Sequence, residues 1–283
     1  MALASTAACL AWGVATLTAP GALASGALPV APQPAFYTYQ APGGQSTAGQ
    51  KVIALTFDDG PSPFTPQVLS VLQQYRVPAT FFEIGYEVAA QPQLTQLVSA
   101  AGYPVEDHTW NHPDLRTVPV GGFALQIDQT QNEIRSVTGH TPSCLRPPYD
   151  AWNSTVLDQI AARGLTTMSY SVDPSDYTLP GTAAIVQRVV SAAFPGAVVG
   201  LHDGGGNRAQ TVAALPQIIT DLEARGYTFV TVSELIAAGR PVTAETCYDA
   251  RPGDTDKYDA LFGHPSQDSP KTTHVPAAAP LPR

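Results

Sequence analysis

Lys51-Val52-Ile53-Ala54-Leu55-Thr56-Phe57 runs without a break into Asp58-Asp59-Gly60-Pro61. The first stretch is apolar and β-prone, and the second is a turn signal. A short continuous apolar run that stops at a turn reads as a strand covered on both faces. Outward from it, residues 65–75 have helical spacing through Val68, Leu69, Leu72 and Tyr75, with Thr65 as N-cap and Pro66 at the first helical position. The same alternation continues. Strands are expected at 79–84, 103–107, 144–146, 165–172, 197–201 and 228–230, and helices at 92–101, 120–137, 154–163, 182–193, 210–225 and 233–238. Strand and helix in strict alternation argue an α/β fold with a parallel sheet. A barrel and a doubly wound sheet both satisfy this pattern. No G-x-G-x-x-G follows the first strand, so a dinucleotide fold loses ground.

The chain has 283 residues, enough for one large domain or two small ones. It carries 14 basic and 23 acidic residues, a net charge of −9, which argues against a nucleic-acid partner. It also argues against docking on an anionic membrane. No apolar run reaches the ~18 residues of a membrane span. Residues 1–50 hold no charged side chain. Residues 1–24 are small and apolar and end in Ala22-Leu23-Ala24, which reads as a signal peptide despite lacking a basic start. A secreted, extracellular protein is therefore expected. Residues 25–50 read as a flexible leader, 51–247 as the core domain, and 248–283 as a Pro-rich disordered tail. Cleavage would remove Cys9 and leave Cys144 and Cys247, an isolated pair expected to bridge after export. The alternative is two unrelated buried thiols.

The polar residues fall where expected strands end. Asp58 and Asp59 follow the first strand, His108 and His112 the third, and Arg146, Asp173 and His202 later ones. Parallel strands present their C-terminal ends on one face, where such folds place their active sites. Imidazoles four residues apart can grip one cation, and a carboxylate completes a catalytic set with open positions. Taken singly, each feature has a plainer reading: packed polar histidines, a turn at Asp-Asp-Gly, a solvated Arg146. Asp173 and His202 offer a carboxylate–imidazole pair. Gly204-Gly205-Gly206 reads as a flexible loop beside His202, with an anion cradle as the alternative.

Five segments together carry a resemblance. They are Thr56-Phe57-Asp58-Asp59-Gly60-Pro61, His108-Thr109-Trp110-Asn111-His112, Arg146-Pro147-Pro148-Tyr149, Asp173-Pro174-Ser175-Asp176 and Leu201-His202-Asp203. In this order they resemble the motifs of the polysaccharide deacetylases, carbohydrate esterase family four. The resemblance spans about residues 50–240. It implies a distorted (β/α) barrel of about seven parallel strands and a secreted, metal-dependent deacetylase of N-acetylglucosamine glycans, chitin or peptidoglycan. Acetylxylan esterase is the runner-up, and a non-catalytic carbohydrate-binding protein is the reading from another class. It further implies one divalent metal, Zn2+ with Co2+ as alternative, on Asp59, His108 and His112. Asp58 is then the base, Arg146 its holder, His202 the acid and Asp173 the partner of that acid. Tyr149 would supply a backbone N–H to the oxyanion, and Leu201 the apolar wall at the acetyl methyl. The partner is a poly- or oligosaccharide, and a monomer is expected.

Three positions depart from the family pattern. Glu106-Asp107 adds negative charge before His108, Asp150 stands where Gly is common, and Tyr177 where Trp is frequent.

Overall fold

Seven parallel strands form the sheet of this computed structural model, which describes residues 51–238. The segments 1–24, 25–50 and 248–283, and Cys247, lie outside the described residues. In chain order the elements are β1 (Lys51–Gly60), α1 (Thr65–Tyr75), β2 (Thr80–Glu83), α2 (Gly85–Ala90), α3 (Pro92–Ala100), β3 (Val105–Asp107), α4 (Gln129–Thr138), β4 (Cys144–Leu145), α5 (Ser154–Ala161), β5 (Thr166–Thr167), α6 (Thr182–Ala192), β6 (Ala197–His202), α7 (Ala209–Ala224), β7 (Tyr227–Phe229) and α8 (Val232–Ala238).

The sheet runs β5-β4-β3-β2-β1-β6, and β7 pairs with the start of β1. Beyond β5 the chain reaches the far edge, where Val172 bridges to Val199. Val172 N–H donates to Val198 O at 3.1 Å, and Gly200 N–H to Val172 O at 3.0 Å. This contact curls the sheet into a distorted (β/α) barrel. It also explains why the expected strand 165–172 is regular only at Thr166–Thr167: the chain leaves β4 to cross to β6.

β1 shows how the layers arise. Its side chains alternate between the two faces. Ile53, Leu55 and Phe57 pack outward with Val68 and Leu72 of α1 and Ile218 of α7. Ala54 faces inward among Phe82, Cys144, Met168 and Val198. Val232 and Leu235 of α8 join this inner cluster, and Val232 N–H donates to Thr80 Oγ1 at 3.0 Å. The short helix therefore closes the floor of the barrel. Cys144 is buried in the same cluster and has no disulfide partner among the described residues, and burial pushes its thiol well up from its ordinary value. No helix among the described residues is long and apolar enough to cross a membrane.

Two elements differ from expectation. The helix expected over 120–137 is a 3-10 turn at Val120–Gly122, a π-helical turn at Ala124–Asp128, and then α4. Pro119 and the Gly121-Gly122 pair oppose a regular start there. The six-residue α2 carries too little periodicity to be read ahead of Pro92.

Candidate active site

Asp58 and Asp59 lie near the end of β1, where the pairing with β2 slips register between Asp58 and Gly60. Asp58 pairs in register with His202 of β6, so both side chains point to the inner face. Asp59 bends away with φ 68°, the left-handed region that few non-glycine residues adopt. The two carboxylates therefore face different partners.

Asp59 Oδ1 lies 3.5 Å from His108 Nε2 and 3.2 Å from His112 Nε2. His108 Nδ1 is 2.8 Å from the Arg146 carbonyl, which can only accept, so Nδ1 carries a proton there and Nε2 is the nitrogen turned toward Asp59. Burial pushes His112 down to about 4, leaving it neutral near pH 7. Burial works to raise Asp59, but His112, His108 and His202 outweigh it and hold the carboxyl well below the usual range. Asp59 Oδ1 is buried with no hydrogen-bond partner among the described residues. The three ligand atoms lie within 4.8 Å of one another. Two imidazole nitrogens and a carboxylate oxygen turned toward one another form a donor set that fits a divalent cation.

Asp58 is 2 % exposed and accepts from Arg146 Nη1 at 2.6 Å. Arg146 is wholly buried. Its Nη1 also donates to Thr56 Oγ1 at 2.8 Å, its Nε to the Met168 carbonyl at 3.2 Å, and its guanidinium lies 4.0 Å from the Phe82 ring centroid. Tyr149 turns at φ 60° and sets its ring 4.6 Å from His112. Asp150 also has positive φ, 49°, and is held by Ser169 Oγ at 2.6 Å, which shows how a side chain is accommodated where Gly is common.

His202 requires a correction. The expected partner was Asp173, but the carboxylate on its ring is Asp176: His202 Nδ1 lies 2.7 Å from Asp176 Oδ1, and His202 N–H donates to Oδ2 at 2.9 Å. Thr211 Oγ1 donates to the same oxygen at 2.7 Å. Asp173 instead accepts from Ser175 N–H at 2.6 Å. Ser175 at φ 51° then turns the chain so that Asp176 reaches the ring. Two aspartates three residues apart are indistinguishable in sequence; the turn between them decides. Burial opposes charge on His202, but Asp176 overcomes it and pushes the ring up to about 9. Burial likewise works to raise Asp176, yet His202 holds it below the usual carboxylate range. Tyr177 places its ring 5.2 Å from His202.

Leu201 is a second correction. It is fully buried in the outer cluster and pairs in register with Phe57, so it faces the helices rather than the mouth of the barrel. Strand alternation carries this signal, since a neighbour of inward-facing His202 must point outward.

The negative charge expected before His108 is directed elsewhere. Glu106 accepts from Ser143 N–H at 2.7 Å and Cys144 N–H at 2.8 Å. Asp107 accepts from Thr109 N–H at 2.7 Å, which shapes the histidine loop. Burial raises both carboxyls.

Gly204 is not part of a loose loop. A Cβ there would sit 1.8 Å from the Asp59 carbonyl oxygen. Only glycine permits this approach, and Arg208 pins the loop through Nε to Gly204 O at 2.6 Å and Nη2 to Gly205 O at 2.9 Å. Asp203 N–H and Gly204 N–H both donate to Asp58 O at 3.2 Å.

Residues 45–168 match the polysaccharide deacetylase family. The chain is 42 % identical over 193 residues to a chitooligosaccharide deacetylase of Bradyrhizobium sp. (strain ANU 289), covering 64 % of this chain and 88 % of that one. It is 42 % identical over 191 residues to a peptidoglycan-N-acetylglucosamine deacetylase of Bacillus cereus, covering 66 % and 89 %. Its fold is similar to the crystal structure of the Bc1960 peptidoglycan N-acetylglucosamine deacetylase, with TM-score 0.67, 29 % identity, and coverage of 73 % of this chain and 94 % of that one. By its barrel and by its likeness to these enzymes, the chain belongs to the polysaccharide deacetylases, carbohydrate esterase family four, hydrolases that act on the carbon–nitrogen bond of N-acetyl groups.

Proposed function

We propose that the protein is an exported, metal-dependent deacetylase that removes acetyl groups from N-acetylglucosamine units of chito-oligosaccharide or peptidoglycan. One observation carries this reading. The Asp58–Arg146 pair and the His202–Asp176 pair share the inner face of two adjacent strands, beside Asp59, His108 and His112. The reading of residues 1–24 as a signal peptide supports export.

A divalent metal, Zn2+ or Co2+, held by Asp59, His108 and His112 would supply Lewis acidity to the acyl oxygen and lower the pKa of water. The residues around it divide the proton transfers. Asp58 accepts the proton of the attacking water, and Arg146 holds the carboxylate in place. The turn at Tyr149 presents backbone N–H toward the oxygen on which charge develops. His202 donates its Nε2 proton to the leaving nitrogen, which otherwise departs as a strongly basic anion. Asp176 holds Nδ1 and keeps the ring charged. Asp173 shapes the loop that delivers Asp176.

The sign of the pH dependence follows from His202. With its pKa near 9, the ring is protonated at neutral pH and loses its proton above about 9. Amide turnover should therefore fall on the alkaline side. Asp176→Asn removes the charge that holds the proton, so the alkaline limb of kcat should move to lower pH by more than one unit. A pH–rate profile of both proteins checks this, and a limb that stays in place would assign the acid elsewhere.

The function itself is tested by acetate release from N-acetylated chito-oligosaccharides, peptidoglycan fragments and acetylxylan. Each is assayed with chelator and again after Zn2+ or Co2+ is restored. Metal-restored acetate from the amide substrates is the expected result. Release from acetylxylan alone would make the protein an esterase, and binding without release a lectin-like module.

A further inference from the structure

The acyl pocket needs an apolar wall, and Leu201 does not provide it. The β6 residue sharing the inner face with His202 is Gly200, which pairs in register with Thr56. A Cβ at Gly200 would lie 2.7 Å from both Cγ and Cδ1 of Tyr170, closer than real contacts allow. The Tyr170 ring thus occupies the space that a β6 side chain would fill. Its centroid lies 5.5 Å from the Arg146 guanidinium, the group that holds Asp58. Tyr170 is partly exposed and packs against the inner cluster that holds Ala54, Phe82, Met168 and Val198, so its ring lies on the inner side of the sheet, the side of Asp58 and His202.

The ring is also fixed from both sides. Ser169 Oγ donates to Asp150 at 2.6 Å. Ser171 N–H donates to Val198 O at 2.9 Å, and Val198 N–H to Ser171 Oγ at 3.0 Å. Neighbours anchored to two different elements leave Tyr170 little freedom to withdraw. In the proposed reaction the acyl oxygen faces Asp59, His108 and His112, and the nitrogen faces His202. The remaining substituent of the acyl carbon is its alkyl group, directed at the floor between Asp58 and His202.

We propose that the Tyr170 ring, seated in the space Gly200 leaves free, is the wall on which the acyl methyl rests, and that it sets the longest acyl group accepted. This rests on the deacetylase reading above. A methylene in an apolar pocket is worth about 10–200-fold in discrimination. Wild-type protein should favour N-acetyl over N-butyryl chito-oligosaccharide. Tyr170→Ala should raise the butyryl-to-acetyl ratio of kcat/KM by at least about tenfold. Gly200→Ala should push the ring inward and raise the formyl-to-acetyl ratio by a similar factor. Tyr170→Leu keeps an apolar anchor and should move the ratio as Tyr170→Ala does, so the test survives if the alanine variant fails to fold.

A binding arm needs no turnover. Calorimetry of acetohydroxamic and butyrohydroxamic acids on zinc-loaded wild type and Tyr170 variants should show the same change in chain-length preference. Unchanged preference in folded variants, in turnover and binding alike, would overturn the assignment. A shifted hydroxamate preference in a protein that releases no acetate would keep the pocket wall and sink the deacetylase reading.

Discussion

Asp58→Asn should keep its metal and lose about 10²–10⁴-fold in kcat for acetate release, the range typical of an acid–base group. The substitution is close to isosteric. The amide oxygen can still accept from Arg146 Nη1, which now lies 2.6 Å from Asp58 Oδ1, but it cannot take a proton from water. Asp59, His108 and His112 are untouched, so metal content measured by atomic emission should match wild type. Acetate release on an N-acetylated chito-oligosaccharide, read beside metal content, separates the two roles of the adjacent aspartates. Wild-type turnover in a metal-loaded variant would remove Asp58 from the base role. Loss of metal together with activity would show that both carboxylates serve the cation.

Arg146→Met should lose about 3–5 kcal/mol of stability, as expected when one partner of a buried ion pair is removed. Arg146 is wholly buried, and its fork joins β1 to the chain after β5 through Thr56, Asp58 and the Met168 carbonyl. Methionine fills much of the volume over Phe82 but leaves the Asp58 carboxylate buried without its counter-charge. Chemical denaturation gives the measurement, and the midpoint should fall well below that of wild type. A loss comparable to a surface pair, about 0–1 kcal/mol, would mean that solvent reaches Asp58. Arg146→Lys should recover only part of the loss, because an ammonium cannot donate in a planar fork while stacking on a ring.

Much of the barrel was legible in the chain. β1 is a continuous apolar run that stops at Asp58-Asp59-Gly60-Pro61, and α1 begins near its N-cap and proline signals. The clustering of Asp59, His108 and His112 was also readable, because a set of groups able to hold one cation restricts residue type and spacing together. The failures share a physical cause. The choice between Asp173 and Asp176 depends on Ser175 adopting φ 51°, a conformation that its residue type does not announce. Gly204 looked like loose chain because close approach to the Asp59 carbonyl is a long-range fact, invisible in local composition. Leu201 is different. Its outward direction followed from strand alternation, and the resemblance to a family motif obscured it.

The pairing of β1 has a consequence for how the protein is made. One edge of this strand is completed by β6, and its start by β7, whose residues lie in the last third of the described chain. Until residues 197–202 have been synthesised, β1 has only β2 to pair with and shows an apolar, unsatisfied edge. The aspartate turn likewise lacks the Asp203 and Gly204 amides that hold the Asp58 carbonyl. Contacts of such long sequence separation form late in folding. The nascent chain can therefore carry His108 and His112 long before it can carry a working site, and it needs protection from association in that interval.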